Sequence, residues 1–263
     1  LILRQLTPGQ RTVQLDEKTS LMLSDKLVER LTVLGAMLDN EQRINNKLAY
    51  PLARLLSVIT TEGDAAWQNL QQEWQEEVSC PPELLTALRD YQKEGVRWMA
   101  TLAHHGFGAC LADDMGLGKT VTTLTAIRDL MYDAFEVKRV LVIAPLRVAR
   151  DTWPDELRKW DHLKELTCSV VVGTVAERRR ALQQDADIYI VNRENLAWLY
   201  ENSRLDFDMV VLDELSSFKN HQSKRFRAMK ALRPKVKRIV GLTGTPSGNG
   251  LLDLWAEFRI LDM

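Results

Sequence analysis

The chain has 263 residues, of which 45% are hydrophobic and 27% are charged, and its formal net charge is −1. This composition is typical of a globular protein with one large or two modest domains, and it excludes a chain held on nucleic acid or membrane by its overall charge. No apolar run approaches the length of a membrane span and no signal-peptide pattern opens the sequence, so we expect a cytoplasmic protein without a membrane partner.

The first 80 residues predict a small, mainly helical region. Apolar residues recur at helical spacing in three segments, 27–38, 51–59 and 67–74. The stretch TVQLDEKTSLML (12–23) predicts two short strands around a polar turn. CPPE at 80–83 is typical of a boundary, so we predict an accessory region over residues 1–82 and a second domain over residues 83–263. The accessory region is a candidate surface for partner proteins.

The second domain shows short apolar, β-branched runs that alternate with helical stretches. Near-continuous apolar strands of this kind predict a parallel sheet covered by helices on both faces, hence an α/β fold. Ligands in such folds bind beyond the carboxyl ends of the strands. The runs are FGACLA (107–112), RVLVIAP (139–145), CSVVVG (168–173), DIYIV (187–191), DMVVLD (208–213) and RIVGLT (238–243).

The first of these strands is followed by LADDMGLGKT (111–120), which closely fits a phosphate-binding loop. Asp113 stands where the usual pattern has its first glycine, so the strict form of the motif is excluded while G-x-G-K-T is kept. Lys119 is suited to reach the β- and γ-phosphates of a nucleotide, and Thr120 to bind Mg²⁺. The alternative is a glycine turn that merely enters a helix.

A second candidate element is VVLDEL (210–215), a strand that ends in two carboxylates. Alone, such a pair is more often a solvated strand end. Together with a phosphate loop it predicts that Asp213 holds Mg²⁺ and that Glu214 is the base that orients the attacking water.

The stretch ADDMGLGKT (112–120) resembles the phosphate loop of the SNF2-type ATPases, the double-stranded DNA translocases within helicase superfamily 2, which commonly carry an acidic residue at this position. Four further stretches resemble motifs of that family in the same order: LRDYQKEGVRWM (88–99), IAPLRVARDTW (143–153), VNREN (191–195) and LTGTPSGNGLLDLW (242–255). The resemblance implies a first RecA-like lobe that uses ATP and Mg²⁺, binds double-stranded DNA without sequence preference and works with a second lobe in the same, longer protein. Leu1, which is not an initiator methionine, agrees with a longer protein.

The resemblance also implies roles for single residues. The nucleotide contacts would come from Arg89, Tyr91, Gln92, Met115, Gly116, Leu117, Gly118, Lys119, Thr120, Thr243 and Thr245. In this set Gln92 faces the adenine edge, while the two threonines sense the nucleotide state. Arg147 and Arg150 would contact DNA phosphates, and Trp153 is assigned to the core. Leu215 and Ser216 replace the Ala or Gly and the His of the family, so the role of that histidine is not transferred.

A basic strip extends from Lys219 to Arg238, with nine lysines and arginines and no acidic residue. It predicts either a solvated helix face or a contact with the DNA backbone, in which Lys224 and Arg225 are the candidate residues. For the shorter run Arg178–Arg180 we predict a solvated face.

Two other functions stay open at this stage: a P-loop kinase or metabolic NTPase, and a nucleotide-dependent binding module without turnover. The resemblance also leaves open whether the setting is transcription, repair or defence against phage. The three cysteines, Cys80, Cys110 and Cys168, lack C-x-x-C spacing and favour reduced thiols over a metal or redox site.

Overall fold

The computed structural model describes residues 12–14, 20–22, 28, 80–203, 206–220, 222–245 and 257–261. The chain forms two compact units, Leu1–Glu76 and Glu77–Met263, so the division lies slightly before the predicted boundary. Apart from Val28, which is helical, the helices predicted for the first 80 residues lie outside the described residues.

The first unit contains the predicted hairpin. Its strands are β1 (Thr12–Gln14) and β2 (Ser20–Met22), which pair antiparallel with Val13 opposite Leu21. The prediction of two short strands in this stretch is thus confirmed.

The second unit is built on a six-stranded sheet. Its strands are β3 (Ala109–Leu111), β4 (Val140–Ala144), β5 (Cys168–Val171), β6 (Ile188–Asn192), β7 (Met209–Asp213) and β8 (Arg238–Leu242). The order is β3-β8-β7-β4-β6-β5, and every pairing is parallel. Each of the six predicted runs forms a strand, which confirms the α/β prediction.

Helices precede the first strand of this sheet and connect the strands to one another. They are α1 (Pro82–Leu85), α2 (Asp90–His104), α3 (Lys119–Arg128), α4 (Trp153–Lys159), α5 (Val175–Leu182), α6 (Leu196–Asn202) and α7 (Lys224–Leu232). Wider π-type turns extend α3 over Asp129–Asp133 and precede α4 over Val148–Thr152. Residues 257–261 are also helical. Across the residues described here, no helix combines the length and apolar character that a membrane crossing requires.

The core lies on both sides of the sheet. All five residues of β4 and of β6 are buried, as expected for strands covered by helices on both faces. The order of strands sets β3, β8, β7 and β4 side by side, so their carboxyl ends meet at one edge. The four segments that follow these strands carry most of the predicted site residues.

Candidate nucleotide site and basic surface

The phosphate loop leaves β3 and enters α3 through two glycines with left-handed backbone, Gly116 (φ 85°) and Gly118 (φ 81°). A side chain at Gly118 would be strained by this φ, and its Cβ would lie 2.5 Å from Nε2 of Gln92. The helix begins at the next residue, Lys119, so the N–H groups of its first turn point into the loop. This arrangement favours a bound anion through those N–H groups and the helix dipole.

The Lys119 side chain folds into the loop. Its Nζ donates hydrogen bonds to the carbonyl oxygens of Asp113 at 2.7 Å and Asp114 at 3.0 Å. Asp113, at the position where the usual pattern has glycine, therefore contributes a backbone acceptor to the loop. The ammonium group lies where it can exchange these acceptors for phosphate oxygens.

The start of α2 is tied to the same loop. Tyr91 Oη and Gln92 Nε2 both donate to the carbonyl of Leu117, at 3.1 and 3.0 Å. Oε1 of Gln92 accepts the backbone N–H of Arg89 at 3.0 Å, and the side chain is buried. The structure thus uses the Gln92 amide to join α2 to the phosphate loop, while its contact with adenine stays a prediction.

Asp213 is the last residue of β7, and it receives a hydrogen bond that the sequence analysis missed. Nε1 of Trp153, at the start of α4, donates to Oδ2 of Asp213 at 2.8 Å. Trp153 is fully buried, as predicted for a core residue, but a buried indole N–H also requires an acceptor. Burial raises the pKa of the Asp213 carboxyl above its ordinary value, although the hydrogen bond from Trp153 opposes the shift.

These elements surround one cavity of about 540 Å³. Its walls contain nine of the predicted residues: Arg89, Tyr91, Gln92, Gly116, Leu117, Gly118, Lys119, Thr120 and Asp213. The face of α4 and the turn before it supply a wall that the sequence analysis did not single out, formed by Thr152, Glu156, Lys159 and Trp160. Within this wall Nε1 of Trp160 donates to Oε2 of Glu156 at 2.6 Å.

The other predicted nucleotide residues lie elsewhere. Met115 is 85% exposed, and Thr243 is buried, with its Oγ1 accepting the backbone N–H of Thr245 at 3.1 Å. Glu214 and Thr245 line a second cavity, of about 250 Å³. The other walls of this second cavity are Arg193, Ser216, Ser217, Lys219 and Glu257.

The cavity around the phosphate loop offers oxygen donors for a divalent cation. It brings together the Thr120 hydroxyl and the Asp213 carboxylate, and hydroxyl and carboxylate oxygens are the ligands that Mg²⁺ prefers. Because a nearby cation favours the charged carboxylate, it would also offset the effect of burial on Asp213. The residues therefore fit Mg²⁺ shared with a nucleotide. Among the described residues there is no cluster of three or more His, Cys, Asp or Glu side chains suited to a metal held by protein alone.

The candidate DNA-binding residues lie at the surface. Arg147 and Arg150 follow β4 and are exposed. At the start of α7, Lys224 is exposed and Arg225 is half-buried.

Two arginines of the basic strip have structural roles instead. Arg233 is buried and donates to the carbonyl oxygens of Ile260, Val236 and Leu261 at 3.0, 2.8 and 3.2 Å. Arg238 donates to the carbonyl of Ala103 at 2.9 Å and forms an ion pair with Glu136. The strip is therefore not a uniform solvated face.

The prediction of a solvated face for Arg178–Arg180 is wrong for its first residue. Arg178 is buried, with its guanidinium 4.0 Å from the centre of the Trp198 ring. Stacking on an indole explains the burial of this cation.

The model of the SNF2-related domain family matches residues 91–263, which is more than half of the chain. The chain belongs to the SNF2-related family. This membership confirms the family resemblance, and the parallel sheet agrees with its RecA-like fold.

Relatives of this SNF2-related chain include a phage protein and a bacterial helicase. It is 41% identical over 156 residues to protein p41 of Acyrthosiphon pisum secondary endosymbiont phage 1, covering 56% of this chain and 34% of that protein. It is 31% identical over 232 residues to an ATP-dependent helicase of Mycoplasma genitalium, covering 81% and 22% of the two chains.

A solved structure of the Sulfolobus solfataricus SWI2/SNF2 ATPase core in complex with dsDNA is similar to this chain, with 37% identity and a TM-score of 0.59. The match covers 66% of this chain and 35% of that one. The SNF2-related chain thus spans roughly a third or less of the length of these three proteins.

Proposed function

We propose that this chain is the first RecA-like lobe of an ATP-dependent translocase that moves along double-stranded DNA. The observation that carries the proposal is the convergence of Lys119, Thr120 and Asp213 on one cavity at the carboxyl edge of the sheet. The similarity to an SNF2 ATPase core solved in complex with double-stranded DNA supports double-stranded DNA as the polymer along which the motor moves.

In this proposal the cavity around the phosphate loop binds ATP. The N–H groups at the start of α3 and the ammonium of Lys119 contact the phosphates, while Arg89, Tyr91 and Gln92 lie on the side of the base. Binding requires Lys119 to give up its two carbonyl acceptors for phosphate oxygens. Lys119 therefore supplies charge to the nucleotide, and its loss is not expected to disturb the core.

Thr120 and Asp213 would hold Mg²⁺ together with the phosphates, and Trp153 fixes the orientation of the Asp213 carboxylate. In that position an ion would supply positive charge to the phosphoryl oxygens. Glu214 is the proposed base that orients the attacking water. An arginine from a second lobe would complete the site and is worth on the order of 10³–10⁵ in rate.

The DNA backbone would contact Arg147 and Arg150 after β4, and Lys224 and Arg225 at the start of α7. Contacts between such cations and phosphates give affinity without base preference. The chain would therefore bind unrelated duplexes similarly.

The test is a Lys119→Ala variant of the motor that contains both lobes. We expect loss of ATP binding and of DNA-stimulated ATP hydrolysis, with unchanged circular dichroism and thermal unfolding. Lys138→Ala, at an exposed lysine outside the cavity, is the matched control and should behave as the unmodified protein. Hydrolysis that survives in the Lys119 variant would refute the nucleotide site, and phosphoryl transfer to a small acceptor would favour a kinase.

A further inference from the structure

Two consecutive carboxylates at the end of β7 line different cavities. Asp213 lines the cavity around the phosphate loop, whereas Glu214 lines the second cavity with Ser216, Thr245 and Lys219. A base must lie within hydrogen-bond reach, directly or through one water, of the group from which it takes a proton. Glu214 must therefore turn toward the nucleotide before it can serve as the proposed base.

The backbone at this turn is held in place. Glu214 has a left-handed conformation (φ 61°, ψ 61°), which is uncommon for a residue with a side chain. The next residue, Leu215, is fully buried and packs against Gly241 of β8, where any Cβ would lie 2.6 Å from Leu215 Cδ2. Because the turn is anchored in this way, a passage of the carboxylate from one cavity to the other would require side-chain rotation rather than a shift of the chain.

One hydrogen bond opposes that rotation. Oγ of Ser216 donates to Oε1 of Glu214 at 2.7 Å, across the short turn Leu215–Phe218. Hydrogen bonds to an ionised acceptor are roughly twice as strong as those between neutral groups. Removing this one donor therefore changes the balance between the two orientations of Glu214.

We infer that Ser216 is a positioning residue that holds the Glu214 carboxylate out of the nucleotide cavity until the lobe engages DNA. The inference rests on the proposed function, in which Glu214 is the base. It gives the serine, which stands where the family has a histidine, a task of its own.

The second cavity also indicates what would release the carboxylate. Its walls carry two cations, Arg193 and Lys219, and one further carboxylate, the buried Glu257, and Lys219 is the first residue of the basic strip. A DNA phosphate drawn to these cations would add negative charge beside Glu214, and like charges disfavour each other. The carboxylate would then favour the nucleotide cavity.

The test is the steady-state ATPase rate of the two-lobe motor, with and without double-stranded DNA, for Ser216→Ala. Since a hydrogen bond to a charged group shifts such an equilibrium by about tenfold or more, the rate without DNA should rise about tenfold. The rate at saturating DNA should be unchanged, because the contact is already broken there. The factor by which DNA stimulates hydrolysis should therefore fall by the same amount.

Three variants make the outcome specific. Ser216→Thr keeps the hydroxyl and should restore the low rate without DNA, while Ser203→Ala removes a serine hydroxyl outside both cavities and should leave both rates unchanged. Ser216→Cys, of similar volume but a weaker donor, replaces the alanine variant if that protein does not fold.

An unchanged or lower rate without DNA in Ser216→Ala would overturn the inference. Equal loss of both rates together with a lower unfolding temperature would do the same, since it would mean that the bond only stabilises the turn. Glu214→Gln separates this failure from failure of the proposed function: if that variant retains full turnover, the base itself is wrongly assigned.

Discussion

The hydrogen bond from Trp153 to Asp213 joins a fully buried side chain to a proposed metal ligand. Partners of this kind hold a ligating carboxylate in one orientation, and their loss typically costs 10–100-fold in metal affinity or activity. Trp153 thus combines packing against the core with control of a polar atom at the edge of the cavity.

At Trp153 we predict a selective effect of Trp153→Phe on metal-dependent binding. The phenylalanine keeps most of the packing and removes the donor, so the affinity for a fluorescent nucleotide should fall about tenfold in Mg²⁺ and change little in a chelator. The control is Trp198→Phe, the same substitution at the ring that stacks on Arg178 outside the cavity. It should change the nucleotide affinity neither in Mg²⁺ nor in the chelator. An equal loss with and without Mg²⁺ would leave Trp153 with a packing role alone.

How far the site could be predicted depends on whether its residues share a local motif. Lys119 and Asp213 stand in short patterns whose chemistry is evident along the chain, and both line the cavity around the phosphate loop. The partner of Trp153 was not predictable, because it depends on β4 and β7 being neighbours in the sheet. The Ser216 contact spans only two residues, but its direction depends on the left-handed turn at Glu214.

At the scale of elements, the strands were predictable and their order was not. Each strand is a short apolar run that can be recognised locally, and parallel pairing follows from the alternation with helices. The order β3-β8-β7-β4-β6-β5 is set by non-local packing. That order brings the phosphate loop, Asp213 and Thr243 to one edge, which the motifs alone could only suggest.

The basic strip, which includes helix α7, contains both a buried cation that bonds the protein backbone and exposed cations. Arg233 bonds three backbone carbonyls inside the protein, whereas Lys224, at the start of the helix, is exposed. A count of charges along the sequence could not separate these two kinds of cation, because burial depends on contacts with the helical residues 257–261.

For α7 we predict that Lys224→Glu with Arg225→Glu weakens DNA binding of the motor for unrelated duplexes. If each cation contacts one phosphate, the slope of log affinity against log salt should become shallower by about 2. The measurement is a salt titration of duplex binding. The same double charge reversal at Lys138 and Lys164, two exposed lysines outside the strip, is the control and should change the slope less. Equal slopes in both variants would mean that the start of α7 is a solvated face that does not contact DNA.

At the scale of the whole molecule, the groups proposed to bind and hydrolyse ATP would be divided between two lobes. This chain offers Lys119, Thr120 and Asp213 to the nucleotide from one side. The arginine that stabilises the transition state and the closed, water-excluding cleft would come from a second lobe.

We therefore predict that residues 1–263 alone bind ATP and Mg²⁺ weakly and hydrolyse ATP slowly, and that double-stranded DNA changes this rate little. The measurement is a steady-state ATPase assay beside the two-lobe motor, with and without DNA. A concentration series serves as the control, because a second copy could lend an arginine in trans. Strong DNA-stimulated turnover that does not depend on concentration would contradict the division between lobes.

The buried guanidinium of Arg233 has a practical consequence for anyone who trims this domain for expression. Two of the carbonyl oxygens that accept its hydrogen bonds, those of Ile260 and Leu261, belong to the last described helical residues. A truncation before residue 257 would remove both acceptors, and the loss of partners of a buried charged group costs about 1–3 kcal/mol or more. A stable expression boundary therefore lies after Leu261, beyond Thr245, the last predicted nucleotide contact.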